Sequence, residues 1–173
     1  MRKKNDRSTI KNLNLKNFWH LAAVGFGAGL APKAPGTFGS LVAIPFCMAL
    51  VYARYEVMLA VAAAVFLIGW KAAAEAEKAL GMHDCSSVVI DEILGMLVSV
   101  LFFPPLWSLA FTAFVLFRFY DIFKPFPICY LDKKVGGGLG VMLDDLAAGI
   151  AACATAHVIF FIFPQAFGIS ALS

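Results

Sequence analysis

Long stretches without a charged residue are the feature that most limits what this chain can fold into. Residues 34–53, 57–70 and 93–117 contain no Asp, Glu, Lys or Arg. Charged residues make up 14% of the 173 residues and hydrophobic residues 61%, whereas a typical soluble domain has about 25% and 45–50%. This balance excludes an intrinsically disordered chain and disfavours a water-soluble one. It predicts an all-α protein embedded in a membrane, where helices satisfy their own backbone.

Breaks within the apolar stretches divide the chain into short helices. Pro104 and Pro105 interrupt one stretch, because proline breaks a helix interior, and Gly81 is a suitable helix end. Several helices fall short of the ~20 residues that cross a bilayer. The prediction is a compact multi-helix bundle with short, broken or re-entrant helices, and the Pro- and Gly-rich segment 124–143 is expected to be a loop. The predicted helices are approximately 40–53, 56–79, 88–103, 106–122 and 144–163.

The net charge of +3 comes from the start of the chain. The first 16 residues carry six Lys or Arg against one Asp. Residues 1–17 are therefore predicted to be a basic cytoplasmic tail and residues 18–173 a single membrane-embedded domain. The tail suits an anchor to anionic lipid under the positive-inside rule, and a solvated leader is an equal alternative. We expect the lipid bilayer as a partner and no nucleic acid, and the sequence leaves the oligomeric state open.

Five acidic residues stand at places where a charge is expensive, in or beside apolar helices. Capping could explain Asp91 and one of the pair 144–145. Five carboxylates at one membrane rim would repel each other unless a cation lay among them. An all-oxygen ligand set favours a hard cation, Mg²⁺ first, with Mn²⁺ or Ca²⁺ as alternatives. The hypothesis is a metal site formed by Asp91, Glu92, Asp121, Asp144 and Asp145.

A glycine-rich segment, residues 25–41, precedes the first predicted helix. Glycines let backbone N–H groups approach a ligand, and a helix N-terminus attracts an anion. Thr37 and Ser40 would then bind phosphate, with Lys33 adding charge at the rim. The segment lacks the G-K-[ST] ending of a P-loop. The alternative is that Thr37 or Ser40 only caps the helix.

Arg118, Asp121 and Lys124 follow one another at intervals of three residues. On a helix this spacing places them on one face. They could hold a metal ion and a phosphate together, or they could form a surface ladder of ion pairs in which Asp121 simply pairs with its neighbours.

Four segments carry specific patterns: APGT-x-GSL, DE-x-x-GM, FR-x-x-D-x-x-KP-x-P and GG-x-G-x-M-x-DD-x-x-AG, within residues 18–46, 81–96, 117–128 and 136–149. Together these segments resemble the phosphatidylglycerophosphatase A family. The resemblance implies a Mg²⁺-dependent phosphatase of phospholipid biosynthesis. It would convert phosphatidylglycerophosphate to phosphatidylglycerol and inorganic phosphate. It also implies a multi-pass protein of the bacterial inner membrane with its active site facing the cytoplasm.

On this basis we predict metal-assisted hydrolysis. The five acidic residues would hold one or two Mg²⁺ ions, with Glu92 as the general base. His83 and Asp84 are candidates for a proton-donor pair to the leaving oxygen. The phosphate would be bound by Arg118, Lys124, Thr37 and Ser40, with Lys33 at the rim.

Other functions fit the composition less well. A small cation transporter would place its carboxylates at mid-span, and these acids are predicted near helix ends. A CDP-alcohol phosphotransferase would need a D-G-x2-A-R motif that is missing. A covalent phosphatase would need D-x-D-x-[TV] or C-x5-R, which are missing too. A lipid phosphatase of other specificity stays open, and a non-catalytic scaffold leaves the acids unexplained.

Overall fold

The computed structural model describes residues 10–82 and 85–168, apart from the side chains of residues 132 and 133, and these residues contain helices and no strands. The all-α prediction is confirmed. Two short 3₁₀ helices accompany the α-helices, at Gly25–Leu30 and Pro164–Phe167. The α-helices are α1 (Phe18–Ala23), α2 (Pro35–Val51), α3 (Tyr55–Leu80), α4 (Ile90–Ser99), α5 (Trp107–Phe123), α6 (Ile128–Lys134) and α7 (Gly137–Ile162).

Helices α3 and α7 are the longest, with 26 residues each. At 1.5 Å per residue each is about 39 Å long, and the hydrocarbon core of a bilayer is ~30 Å thick. Within the described chain, these two helices are long and apolar enough to cross a membrane by length and composition. Helix α2 is apolar but shorter, with 17 residues.

Helix α7 lies at the centre of the bundle and packs against α3, α4 and α5. It runs antiparallel to α3, because Gly138 lies against Ala74 and the later Met142 lies against the earlier Gly69. It runs parallel to α4. A Cβ atom on Gly149 would come within 2.6 Å of the Gly95 carbonyl oxygen, so these two backbones touch directly.

Three helices therefore begin, and two end, at the same end of the bundle. Helix α2 begins beside α4, since Gly36 lies against Glu92. Helix α5 ends beside α7, since Lys124 pairs with Asp144. We call this end, where α2, α4 and α7 begin and α3 and α5 end, the charged end. The opposite end contains the α2–α3 turn and the α4–α5 connection, which meet where the rings of Tyr55 and Phe102 lie 6.2 Å apart.

The predicted helix positions were correct, but several boundaries were wrong. Helix α2 begins at Pro35 rather than near 40, because proline suits the first position of a helix. Helix α4 ends at Ser99, four residues before the predicted end. Segment 124–143 is not a continuous loop: it contains α6 and the first turns of α7. Its glycines permit close helix contact rather than preventing helix formation. Gly81 ends α3 in the left-handed conformation, as predicted.

The capping alternatives are also wrong. Helix α7 begins at Gly137, so Asp144 and Asp145 lie two turns inside it. Helix α2 has Ala34 at its N-cap, in the left-handed conformation and with no side-chain cap, so neither Thr37 nor Ser40 caps it. Asp91 is the second residue of α4 and follows the N-cap residue by two positions.

Part of the predicted basic tail is described. Leu13 is buried against the core, and the backbone N–H of Asn14 donates to Nδ1 of His20 at 3.0 Å. Lys11 and Lys16 are exposed. Residues 1–9 lie outside the described residues.

Candidate active site

Five carboxylates from three helices are buried near the charged end. Their exposed fractions range from 1% for Asp91 and Asp145 to 9% for Asp121. Helix α4 supplies Asp91 and Glu92, α5 supplies Asp121, and α7 supplies Asp144 and Asp145. Buried acidic residues are rare without a partner that offsets the loss of hydration. Because all five side chains are buried together, they are not solvated surface groups.

Three of these carboxylates form a tight cluster. One oxygen from each of Asp91, Glu92 and Asp145 lies within 4.8 Å of the other two. We call these three residues the carboxylate cluster. The Oδ2 atom of Asp145 is buried and has no hydrogen-bond partner among the described residues.

Two cations accompany the other carboxylates. Arg118 lies one turn before Asp121 on α5, and its Nη1 is 2.8 Å from Oδ2 of Asp121. The ammonium of Lys124 pairs with Asp144, whose Oδ1 also accepts from the backbone N–H of Asp145 at 3.0 Å. Among the described residues, Arg118 and Lys124 thus pair with Asp121 and Asp144, which lie beside the carboxylate cluster.

The carboxylate cluster could hold a hard divalent cation. Its ligand atoms are all carboxylate oxygens, which Mg²⁺, Mn²⁺ and Ca²⁺ prefer. Oxygens on opposite sides of one such ion lie ~4–5 Å apart, twice the usual bond length of about 2.0–2.6 Å. Three oxygens within 4.8 Å of one another are close enough to bind one such ion, and the buried Oδ2 of Asp145 is an acceptor with no hydrogen-bond partner among the described residues.

The first turn of α2 packs directly onto the acids. A Cβ atom on Gly36 would lie 2.2 Å from Oε1 of Glu92 and 3.4 Å from Nη1 of Arg118. Glycine at this position therefore lets α2 approach the site. Because α2 has no side-chain cap, the N–H groups of its first turn, those of Gly36 and Thr37, are left as donors. The N-terminal end of the helix also favours negative charge.

Ser40 and Arg118 link this turn to α5. The hydroxyl of Ser40 is fully buried and donates to the carbonyl of Gly36 at 3.0 Å. It accepts from Nη1 of Arg118 at 3.4 Å. The Nε atom of Arg118 is also buried and has no acceptor in the described chain. The guanidinium can therefore donate one further hydrogen bond.

Residues 21–160 match the family described as Phosphatidylglycerophosphatase A. The chain belongs to this family. No solved structure matches it.

Individual relatives agree with that assignment. An Escherichia coli K12 protein named phosphatidylglycerophosphatase A is 40% identical over 151 residues, which is 87% of this chain and 86% of the relative. A Haemophilus influenzae protein of the same name is 41% identical over 147 residues, 84% and 90% of the two chains. A Bacteroides thetaiotaomicron protein, provisionally named phosphatidylinositol-3-phosphatase, is 37% identical over 139 residues, 75% and 86% of the two chains. As a member of the phosphatidylglycerophosphatase A family, the chain is a phosphatase.

The five predicted acids, with Arg118 and Lys124, are brought together in this family member. Lys124 is not on the face of α5: it follows the helix in the left-handed conformation and reaches Asp144 of α7. Thr37 is half-buried in the first turn of α2 and Ser40 is inside the bundle, whereas Lys33 is exposed two residues before that helix. His83 and Asp84 lie outside the described residues, so their predicted role as proton donors stays a prediction.

Two glycines that bring the acids together were not singled out from the sequence. Gly95 lies four residues after Asp91, and Gly149 lies four residues after Asp145. Residues four apart share a helix face, so each acid has a glycine one turn further along the same face. These glycines form the backbone contact between α4 and α7. The spacing D-x3-G, present in both motifs, was the available signal.

Proposed function

We propose that this protein hydrolyses the terminal phosphate ester of phosphatidylglycerophosphate, releasing phosphatidylglycerol and inorganic phosphate as a step of phospholipid biosynthesis. The observation that carries the proposal is the buried carboxylate cluster, flanked by Arg118 and Lys124, in a chain of this family. A phosphomonoester carries the negative charge that these cations suit, and the clustered carboxylate oxygens are ligands that a divalent ion prefers. The substrate is that named for the Escherichia coli and Haemophilus influenzae relatives.

We assign the carboxylate cluster, Asp91, Glu92 and Asp145, as the Mg²⁺ ligands, with Asp121 and Asp144 completing or orienting the set. When Mg²⁺ is bound, the site gains a Lewis acid that neutralises phosphate charge and promotes attack by water. Asp121 and Asp144 are each held by a cation, which fixes their orientation. Five carboxylates are enough to bind one or two Mg²⁺ ions.

The phosphate is proposed to lie between α2 and α5. Arg118 has a spare Nε donor, and its planar guanidinium suits two oxygens of one phosphate. The N–H groups of Gly36 and Thr37 belong to the helix turn that packs against Glu92 and Arg118. Lys124 approaches from the end of α5, and Lys33 adds charge at the rim. Ser40 acts here through Arg118, since its hydroxyl already bonds the helix and the guanidinium.

The proposed reaction is direct hydrolysis. Water attacks phosphorus, the bond from phosphorus to the glycerol oxygen breaks, and the leaving oxygen takes a proton. Glu92 is proposed to accept the proton of the attacking water, since its carboxylate lies against the first turn of α2, where the phosphate would bind. His83 and Asp84, in the same motif, remain the candidates for the proton donor.

We propose that the protein crosses the bacterial inner membrane several times, with the charged end in the cytoplasm. Cytoplasmic ends of membrane proteins are rich in Lys and Arg. In the described chain the opposite end carries Arg54, paired with Glu56 at 2.9 Å. Exposed aromatic residues there, including Tyr52, Tyr55 and Trp107, suit the far interface. The charged end carries Lys11, Lys16, Lys33, Lys71, Lys78 and Lys134.

This orientation predicts which cysteine variants react from outside. An impermeant maleimide added to intact spheroplasts should label Arg54→Cys above the wild-type background and leave Lys33→Cys at that background. Both positions are exposed, so both should react once the membrane is opened with detergent. The reverse labelling pattern would place the site on the other face of the membrane.

Substrate choice can be measured with the purified protein in detergent. We expect Mg²⁺-dependent phosphate release from phosphatidylglycerophosphate at least about tenfold faster, in kcat/KM, than from phosphatidic acid, a discrimination of ~1.4 kcal/mol. Chelation should remove the activity and added Mg²⁺ should restore it. Equal rates on the two lipids would contradict the narrow specificity, and full activity in chelator would contradict the metal requirement.

A lipid phosphatase of other specificity is the second candidate. It is favoured by the Bacteroides thetaiotaomicron relative, whose provisional name specifies phosphatidylinositol-3-phosphatase activity. Phosphatidylinositol 3-phosphate therefore belongs in the same substrate panel. If kcat/KM is higher on phosphatidylinositol 3-phosphate than on phosphatidylglycerophosphate, then the former lipid is the substrate. The assignment of the site residues would not change.

A further inference from the structure

An apolar groove of about 370 Å³ lies between the end of α4 and the second half of α7. Its volume falls in the range of small-ligand sites, about 300–1,000 Å³. Val98, Leu101 and Phe102 line one side, and Ile150, Ala154 and His157 line the other. It is too small for a helix, which is ~10 Å across with its side chains, so a single flexible chain is the occupant that matches its size.

The groove continues from the phosphatase site along the same two helices. Helices α4 and α7 run in parallel from the carboxylate cluster, touch at Gly95 and Gly149, and then border the groove. On α7, Ile150 and His157 follow Asp145 by five and twelve residues, which is about 8–18 Å along the axis. One leaflet of a bilayer has a hydrocarbon depth of ~15 Å, half of the core. A chain attached to a head group at the site would reach this groove.

The groove is open on its side. Ile150 and Phe102 are 56% and 58% exposed, so an acyl chain could enter sideways from the bilayer. The His157 ring, which lines the part of the groove farther from the site, lies against Phe103 with centroids 4.2 Å apart and the rings tilted by 45°. Its Nδ1 bonds the Cys153 carbonyl at 2.9 Å, so this side chain is held in place.

We propose that this groove binds one acyl chain of the phospholipid substrate while its phosphate occupies the carboxylate site. The proposal rests on the proposed function, because it assumes a phospholipid substrate. It assigns substrate contacts to residues of α4 and α7 that do not take part in hydrolysis. It also implies that kcat/KM depends on the length of the acyl chain.

The test compares long-chain and short-chain substrates on a variant that fills the groove. Ala154→Trp adds a large side chain at an exposed position of α7. We expect the ratio of kcat/KM for dipalmitoyl over dihexanoyl phosphatidylglycerophosphate, both in detergent micelles with Mg²⁺, to fall about tenfold, the effect of losing burial of some two methylene groups. Val158→Trp is the matched control, because Val158 is exposed on the same helix but does not line the groove, and it should keep the wild-type ratio.

The outcomes separate this proposal from the proposed function. An unchanged ratio in Ala154→Trp, or an equal fall in Val158→Trp, would overturn the acyl-chain groove. Ile150→Trp, which narrows the groove from the same side, should reproduce the change and covers the case in which Ala154→Trp does not fold. Failure of the wild-type protein on both chain lengths would instead contradict the proposed function.

Discussion

Asp145→Asn should reduce phosphate release by about a thousandfold or more and should remove the stabilisation by Mg²⁺. The substitution keeps the size of the side chain but removes a charge from the carboxylate cluster. Loss of a metal ion costs several kcal/mol of transition-state stabilisation, and each ~1.4 kcal/mol is tenfold in rate. The measurement is kcat/KM for phosphatidylglycerophosphate at saturating Mg²⁺.

Thermal unfolding supplies a readout that does not depend on activity. A ligand at a hundred times its Kd stabilises by about 2.7 kcal/mol, so Mg²⁺ should raise the wild-type Tm by ~5 °C or more. The Tm of Asp145→Asn should not respond. In chelator the variant should be at least as stable as the wild type, because asparagine has the same size and carries no charge that must be buried at this position.

Glu75→Gln is the matched control for this prediction. It makes the same chemical change on the surface of α3, where Glu75 pairs with Lys78 at 3.0 Å, and surface pairs contribute little. We expect activity within about twofold of the wild type, since surface substitutions rarely change stability by more than ~0.5 kcal/mol. Near-normal turnover in Asp145→Asn, or an equal response of its Tm to Mg²⁺, would contradict the metal site.

The composition of the chain was sufficient to predict the helical class, and it also pointed to five acids that the fold brings together. Few charges occur in the body of the chain, so each buried acid stood out, and all five proved to be buried together. The position of an acid within its helix was harder to predict. One of Asp144 and Asp145 could have been a helix cap, because aspartate favours that position, yet α7 begins seven residues before Asp144.

The partner of Asp121 was among the alternatives that the sequence offered, since Arg118 pairs with it on the same helix. The partner of Asp144 could not be predicted, because the spacing of these two residues and Lys124 placed the lysine on one face of that helix. The chain turns into the left-handed conformation at Lys124, and that turn directs the lysine to α7. Contacts between helices depend on how closely their backbones approach, and glycines such as Gly36 allow that close approach. Because glycine has no side chain, it does not contribute to the hydrophobic periodicity from which helix faces are predicted.

Gly36→Ala should lower kcat/KM by about a hundredfold with little loss of folded protein. The added Cβ would lie 2.2 Å from Oε1 of Glu92, far inside normal contact, so α2 or the Glu92 side chain must move. A shift of ~1 Å in a catalytic geometry can cost about a hundredfold. Alanine is otherwise well suited to this helix, because it has a higher helix propensity than glycine. The measurement is kcat/KM together with Tm.

Gly136→Ala tests whether the effect comes from the site rather than from any lost glycine. Gly136 precedes α7 with φ −97°, a conformation open to alanine, and a Cβ there would meet nothing within 4 Å. Its variant should keep wild-type activity within about twofold, a change of ~0.4 kcal/mol in the barrier. If Gly36→Ala behaves like Gly136→Ala, then the first turn of α2 does not pack onto Glu92 in the active enzyme. In that case the proposal that this turn binds the phosphate is wrong, whereas the metal site on α4 and α7 is judged separately by the response of Asp145→Asn to Mg²⁺.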